Sequence, residues 1–350
     1  MDFPKQMQNL PGLLLPWYAD HHRDLPWRKD REPYHIWVSE IMLQQTRVEA
    51  VKGYYTRFLT VLPTLQDLAA CDDETLHKLW EGLGYYSRVR NLKKAAESIV
   101  NDYEGVFPAS HAQVLKLPGI GPYTAGAICS IAYYLPTPAV DGNVLRLVSR
   151  LLNDHRPIDL PEVKKEVTEG LSKIYPSEAG SFTQALMELG ATLCGPNRAP
   201  DCEHCPLKSI CAAKAEGTAQ ELPIKLPRKK RRLENMTLLI LCCDGAYALQ
   251  KRPDKGLLAS LWQFPNIEGH LSAQQAMDLA VSWQVHPKAL LKQVSKTHIF
   301  THIQWDMLGY YLEVSEKSPL FTWFTPEEIW TQAALPTAFK QFFPEKPEEI

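Results

Sequence analysis

Two carboxylates, a glycine-rich turn and a tight group of cysteines carry most of the chemical potential of this 350-residue sequence. The first carboxylate, Glu40, lies in Ser39-Glu40-Ile41-Met42-Leu43-Gln44-Gln45-Thr46, within a stretch, 34–51, that reads as one helix. Helical spacing puts it beside Ile36, Trp37, Leu43 and Gln44. A carboxyl in that mostly apolar company favours its protonated form, which suits a general acid near neutral pH. The plainer reading is a solvated glutamate supporting Arg47 one turn further on. The second carboxylate, Asp141, stands in Ala139-Val140-Asp141-Gly142-Asn143, just before a helical run. There it is either an N-cap or Asp-Gly turn, or a fixed negative charge facing a developing cation.

The turn is Leu117-Pro118-Gly119-Ile120-Gly121-Pro122-Tyr123-Thr124-Ala125-Gly126. It reads as helix, tight turn, helix, with Gly119 and Gly121 free to take positive φ and Pro122 placed to start the second helix. Outward N–H groups and a helix N-terminus would hold one phosphate without side-chain charge. An ordinary helical hairpin with a glycine cap has the same pattern. Of eight cysteines, Cys194, Cys202, Cys205 and Cys211 fall in one loop, spaced x7, x2 and x5. Cys71, Cys129, Cys242 and Cys243 are scattered among apolar neighbours and read as buried thiols. Zinc sites usually join two close pairs from separate places. One close pair flanked by two outlying cysteines better suits a [4Fe–4S] cube. Arg198, Lys208 and Lys214 lie in or beside the loop and would add positive charge toward a phosphate backbone.

These groups need a scaffold. Residues 8–222 read as helical, with apolar positions at helical spacing in 65–81, 88–100, 143–152 and 181–193. Residues 223–235, with the basic run Arg228–Arg232, read as an exposed linker. From 236 the pattern changes: 236–243 and 246–252 are strand-like around Asp244-Gly245, a type I′ hairpin signal. Further strands are expected at 297–303 and 307–314, and helices at 325–331 and 337–343, giving a separate α+β domain over 236–350. Net charge is −2, so bulk charge does not announce a nucleic-acid binder. The sequence begins with no basic-plus-apolar signal and has no apolar run long enough for a membrane span, so a cytoplasmic, nucleoid-associated location is expected.

In order along the chain, Glu40, Leu117–Gly126, Val140-Asp141-Gly142-Asn143 and the cysteine loop resemble the helix-hairpin-helix, Gly/Pro–Asp glycosylase superfamily. Within it, Leu25-Pro26-Trp27-Arg28, Trp37–Thr46 and Gly82-Leu83-Gly84-Tyr85-Tyr86-Ser87-Arg88 look like the MutY family of adenine DNA glycosylases. The resemblance implies a multidomain fold: an all-α glycosylase domain with an iron–sulfur loop, then a smaller α+β Nudix-like domain. It implies a base flipped into a pocket between helical subdomains. Glu40 would protonate adenine N7, and Asp141 would stabilise the oxocarbenium ion, electrostatically or covalently. Tyr123 and Asn143 match positions near the sugar; Arg28 and Gln184 match adenine-pocket positions. Gln45 and Tyr85 match residues that wedge into the stack, Leu43 an 8-oxoguanine contact, and Gly119 and Gly121 the phosphate-binding hairpin. Phe300-Thr301-His302 falls where the family usually carries Phe-Ser-His. The first cysteine gap has seven residues where the family usually has six.

The implied cofactor is one [4Fe–4S] cluster on the four loop cysteines. The implied partner is double-stranded DNA with an adenine mispaired with 8-oxoguanine or guanine, bound by a monomer. Three other readings compete. An endonuclease III-like glycosylase/lyase would need a Schiff-base lysine where this chain has Tyr123. A non-catalytic iron–sulfur DNA-binding protein would not need both carboxylates. A Nudix hydrolase would need an Arg-Glu…Glu-Glu metal helix, which is missing.

Overall fold

The computed structural model describes residues 3–196, 199–227 and 230–343. Arg198, Arg228 and Lys229 of the basic groups named above lie outside the described residues. The chain packs as two units, Met1–Ala70 with Arg90–Pro227, and Cys71–Val89 with Arg228–Ile350. The segment Cys71–Val89 thus packs with the C-terminal residues, an excursion that a linear boundary cannot express.

Helices run in the order α1 (Leu10–His21), α2 (Pro33–Leu43), α3 (Val48–Val61), α4 (Leu65–Ala70), α5 (Asp73–Leu79), α6 (Ser87–Asp102), α7 (His111–Val114), α8 (Pro122–Tyr133), α9 (Gly142–Leu152), α10 (Pro161–Ser172), α11 (Ala179–Ala191) and α12 (Ala212–Ala215). In the first unit α8 is buried continuously from Thr124 to Ile131, as α9 is from Val144 to Leu151. In α8, small residues permit this. A Cβ on Gly126 would lie 2.2 Å from the Pro138 carbonyl oxygen. The segment carrying Asp141 therefore runs tight against α8. The apolar faces of α9 and α11 close the same core through Val144, Leu147, Val148, Leu151, Phe182, Ala185, Leu186 and Leu189.

The expected helix 34–51 is two helices. α2 ends at Leu43, Gln45 takes φ 57°, and Arg47 is the N-cap of α3. The buried face explains the break. Positions 36–42 are all buried, whereas α3 buries only Val51, Tyr55 and Phe58, so the chain must turn to present a different stripe. The 65–81 helix is likewise broken, because Asp72 accepts a hydrogen bond from the Thr75 amide and starts α5. In the hairpin only Gly119 has positive φ, 74°; Gly121 is an extended N-cap, φ −96°.

The second unit carries a mixed sheet of β1 (Arg232–Cys243), β2 (Ala246–Lys251), β3 (Trp262–Gln263), β4 (Asn266–Glu268), β5 (Pro287–Ile299), β6 (Ile303–Val314) and β7 (Thr322–Phe324). The order is β3-β2-β1-β6-β5, with β4 on β1 and β7 on β2. β1 and β6 pair in parallel, Leu238 opposite Gly309. β1 is central and buried on both faces. Leu238 and Ile240 pack with Phe264, Trp305, Met307 and Phe339. Leu239 and Leu241 pack the other way, with α13 (Ala273–Ser282), Tyr310 and Leu312. This two-sided burial is why β1 reads as a near-continuous apolar run. Two short helices, α14 (Pro326–Thr331) and α15 (Thr337–Lys340), lie toward the first of these cores. Asp244 and Gly245 take φ 48° and 77°, as a type I′ turn requires. The expected strand 297–303 instead begins at Pro287 and stops at Ile299, so Phe300–His302 form the β5–β6 turn. Its exposed, alternating first half lacks the apolar signal of a buried strand.

Candidate active site

A cleft of about 580 Å³ opens in the first unit. Its walls come from α2, the 44–48 turn, the N-termini of α8 and α9, and α11; they include Arg28, Glu40, Leu43, Gln45, Gly121, Tyr123, Asp141, Asn143 and Gln184. Nine of the residues picked from the sequence for the helical domain thus share one space. Gly119 lies outside that lining, at the exposed tip of the hairpin.

Glu40 is 6% exposed. Its Oε2 accepts a 2.5 Å hydrogen bond from the Tyr123 hydroxyl. Loss of water pushes the Glu40 carboxyl up to about 7. The Tyr123 hydrogen bond opposes that shift, the Asp141 charge adds to it, and the Arg28 charge reduces it. The same burial and the neighbouring carboxylates drive the Tyr123 phenol well above its ordinary value, so it stays a donor. The wall around Glu40 is therefore apolar enough to keep a proton yet open enough to deliver it.

Asp141 is the N-cap of α9. Its Oδ1 accepts from the amides of Asn143 (2.9 Å) and Val144 (2.8 Å), and its Oδ2 from Asn143 Nδ2 (2.7 Å). Burial raises its affinity for a proton, while these donors and the Arg146 charge resist. The N-cap and the functional readings are thus one arrangement, in which helix α9 fixes the carboxylate and leaves it facing the cleft. Behind it, Asn143 Oδ1 accepts from Arg146 Nη2 (2.8 Å), and Arg146 Nε donates to the Cys194 carbonyl (2.9 Å).

Also in the cleft lining, Arg28 Nη2 is 2.7 Å from Glu188 Oε2, and Arg23 Nε is 2.6 Å from Glu188 Oε1. The two cations hold the buried Glu188 below the usual carboxylate range. The Tyr18 hydroxyl donates to Gln184 Oε1 at 3.2 Å. Sequence reasoning missed Tyr18, Arg23, Arg146 and Glu188. Glu188 lies one helical turn beyond Gln184, and Arg146 three residues beyond Asn143, so each shares a helix face with a residue already singled out.

Tyr85, Phe300, Thr301 and His302 belong to the second unit. The Tyr85 hydroxyl is 2.8 Å from Thr301 Oγ1. Phe300 packs edge-on against Trp305, ring centroids 4.8 Å apart. His302 is exposed and its carbonyl accepts from the Arg232 amide at 3.0 Å.

Cys194, Cys202, Cys205 and Cys211 line one enclosed gap with Leu147, Leu151, Arg150 and Leu207. Arg150 Nη1 donates to Cys194 Sγ at 3.1 Å. Among the described residues, no three His, Cys, Asp or Glu side chains converge as ligands of one metal ion. Four thiol donors around one gap fit a thiophilic metal centre, and their not converging on one point fits the spread corners of an iron–sulfur group.

Residues 38–175 match the HhH-GPD superfamily base excision DNA repair protein family, and residues 236–345 match the NUDIX domain. The chain is 35% identical to the adenine DNA glycosylase of Homo sapiens, over 95% of this chain and 73% of that protein. It is 31% identical to the adenine DNA glycosylase of Buchnera aphidicola subsp. Acyrthosiphon pisum, over 83% of this chain and 82% of that protein. Among solved structures, it is similar to a thermostable thymine-DNA glycosylase (28% identity, TM-score 0.55), over 61% of this chain and 98% of that one. A trapped endonuclease III–DNA covalent intermediate is similar over 61% of this chain and 99% of that one (26% identity, TM-score 0.51). With a matched helical glycosylase unit followed by a matched NUDIX domain, and with relatives of this identity over most of its length, the chain belongs to the adenine DNA glycosylase family.

Proposed function

We propose that this glycosylase releases adenine from duplex DNA in which it is mispaired with 8-oxoguanine or guanine, leaving an abasic site. The observation that carries the reading is a buried carboxyl with its proton affinity raised to about 7, in one cleft with a second carboxylate fixed by three donors. The flipped adenine enters the cleft and Glu40 delivers its proton to N7. Protonation makes the base a neutral leaving group, and the C1′–N9 bond breaks with its electron pair going to the base. Asp141 faces the positive charge left on the sugar. Water then adds at C1′ and gives up a proton to the Glu40 carboxylate left by the first step, which restores the acid. Tyr123 holds Glu40 in place, and Asn143 holds Asp141. Arg28 and Gln184, both in the cleft lining, would read the adenine edge.

Tyr123 occupies the position where a lyase would carry its lysine, and its hydroxyl is engaged with Glu40. Borohydride should therefore trap no abundant covalent enzyme–DNA product. In the second unit, the Tyr85–Thr301 pair supplies two hydroxyls that would contact the base opposite the adenine. The four loop cysteines would hold a [4Fe–4S] cluster, which when bound supplies a rigid anchor for a DNA-facing loop. The test is single-turnover base release on duplexes with adenine opposite 8-oxoguanine, guanine or thymine. Release from the first two and loss of it in Glu40→Gln, with duplex binding kept, is expected. Near-parent release by that variant would remove Glu40 as the acid.

A further inference from the structure

The segment Cys71–Val89 is tied into its own unit by a chain of charged groups ending near Tyr85. Glu74 on α5 accepts from Trp262 Nε1 at 3.1 Å and pairs with Lys251. One turn on, Lys78 Nζ donates to the Ile329 and Ala333 carbonyls, both at 3.1 Å, and so closes the C-terminal end of α14. The same Nζ lies 2.6 Å from Glu81 Oε2. Glu81 Oε1 takes Lys340 of α15 at 3.0 Å, and the Glu81 side chain is only 10% exposed. One carboxylate thus clamps two helices of the C-terminal unit.

Four residues beyond Glu81, Tyr85 is 45% exposed at φ 47°. An aromatic held in left-handed backbone costs energy and persists only where its surroundings fix it. The surroundings do so on two sides. The Arg88 guanidinium lies 5.4 Å from the ring centroid and donates to the Leu83 and Gly84 carbonyls. Thr301 meets the hydroxyl. The third constraint is the clamp that fixes where the loop begins.

The geometry points to Glu81 as a positioning residue for recognition of the base opposite the excised adenine: through Lys78 and Lys340 it sets the loop that holds Tyr85 against Thr301. This rests on the function proposed above. Glu81 touches no substrate, so its removal acts on discrimination and not on bond breaking.

The test uses the full chain on duplexes with adenine opposite 8-oxoguanine or opposite guanine, with equilibrium binding read beside single-turnover release. Glu81→Gln is expected to lower the preference for 8-oxoguanine by roughly fivefold to tenfold, with release from the guanine duplex within about twofold of the parent. Tyr85→Phe lowers the same preference, and the double variant lowers it no further, because one residue acts through the other. Glu81→Asp recovers part of the preference. If Glu81→Gln does not fold, Lys340→Gln removes the more exposed partner and carries the same comparison. Equal losses on both duplexes, or losses that multiply in the double variant, overturn the inference. A parent chain that releases no adenine overturns the proposed function instead, and the binding preference then still decides the role of Glu81.

Discussion

At the scale of single residues, the site works by opposing influences on one proton. Burial raises the Glu40 carboxyl, and the Tyr123 hydrogen bond pulls it part of the way back. Tyr123→Phe removes that hydrogen bond, so the alkaline limb of the pH–rate profile is expected to move to higher pH; a limb that moves to lower pH would contradict this. The same proton enters stability. Glu40 binds its proton more tightly folded than unfolded, so its contribution is full below about 4.5 and is lost as pH rises through about 7. Glu40→Gln, which cannot ionise, is therefore expected to be more stable than the parent at pH 8, by at most roughly 3 kcal/mol, with a smaller difference at pH 5. Urea unfolding at the two pH values measures it. Asp141→Asn keeps a side-chain oxygen to cap α9 but loses the charge. Its melting temperature should stay near the parent's while base release falls at least about 100-fold. Asp141→Ala should also lose about 1 kcal/mol of stability with the cap.

At the scale of elements, the hairpin and the helix ends decide where those residues stand. Gly119 at φ 74° has no room for a side chain, since a Cβ would lie 2.5 Å from the Asn91 Cβ. Gly119→Ala is expected to cost about 1–2 kcal/mol and to weaken duplex binding alike for every sequence, checked by thermal unfolding and by titration with undamaged DNA. Much of this was legible beforehand. The order Leu117–Gly126, Asp141, cysteine loop marked the helical unit, and Asp244-Gly245 marked the first hairpin of the sheet. What escaped was set by tertiary packing. Nothing local in Gln44-Gln45-Thr46 announces a helix break; the turn follows from α2 and α3 burying different faces. The early start of β5 was hidden because its outer residues are exposed and carry no apolar run. Glu188 was invisible as a partner because Arg23 and Arg28 lie some 160 residues away in sequence.

At the scale of the whole molecule, local choices are joined through the core. Asp141 is bonded to Asn143, Asn143 to Arg146, and Arg146 to the carbonyl of Cys194, so the cysteine loop and the carboxylate share one helix, α9. Chelating iron from purified protein, or Cys202→Ala, is expected to abolish visible absorbance and to lower both duplex affinity and melting temperature. Unchanged values in iron-free protein would leave the loop without a cofactor role. The grouping of Cys71–Val89 with the sheet was not legible because its anchors, Lys251, Ile329, Ala333 and Lys340, lie far along the chain. The most direct test of the whole account is the single-turnover rate of adenine release between pH 5 and 9, opposite 8-oxoguanine, for the parent and for Glu40→Gln. The expected result is a parent rate that falls as pH rises through about 7 and a variant with no measurable release at any pH. A parent profile flat across that range, or a variant that matches it, would contradict the account.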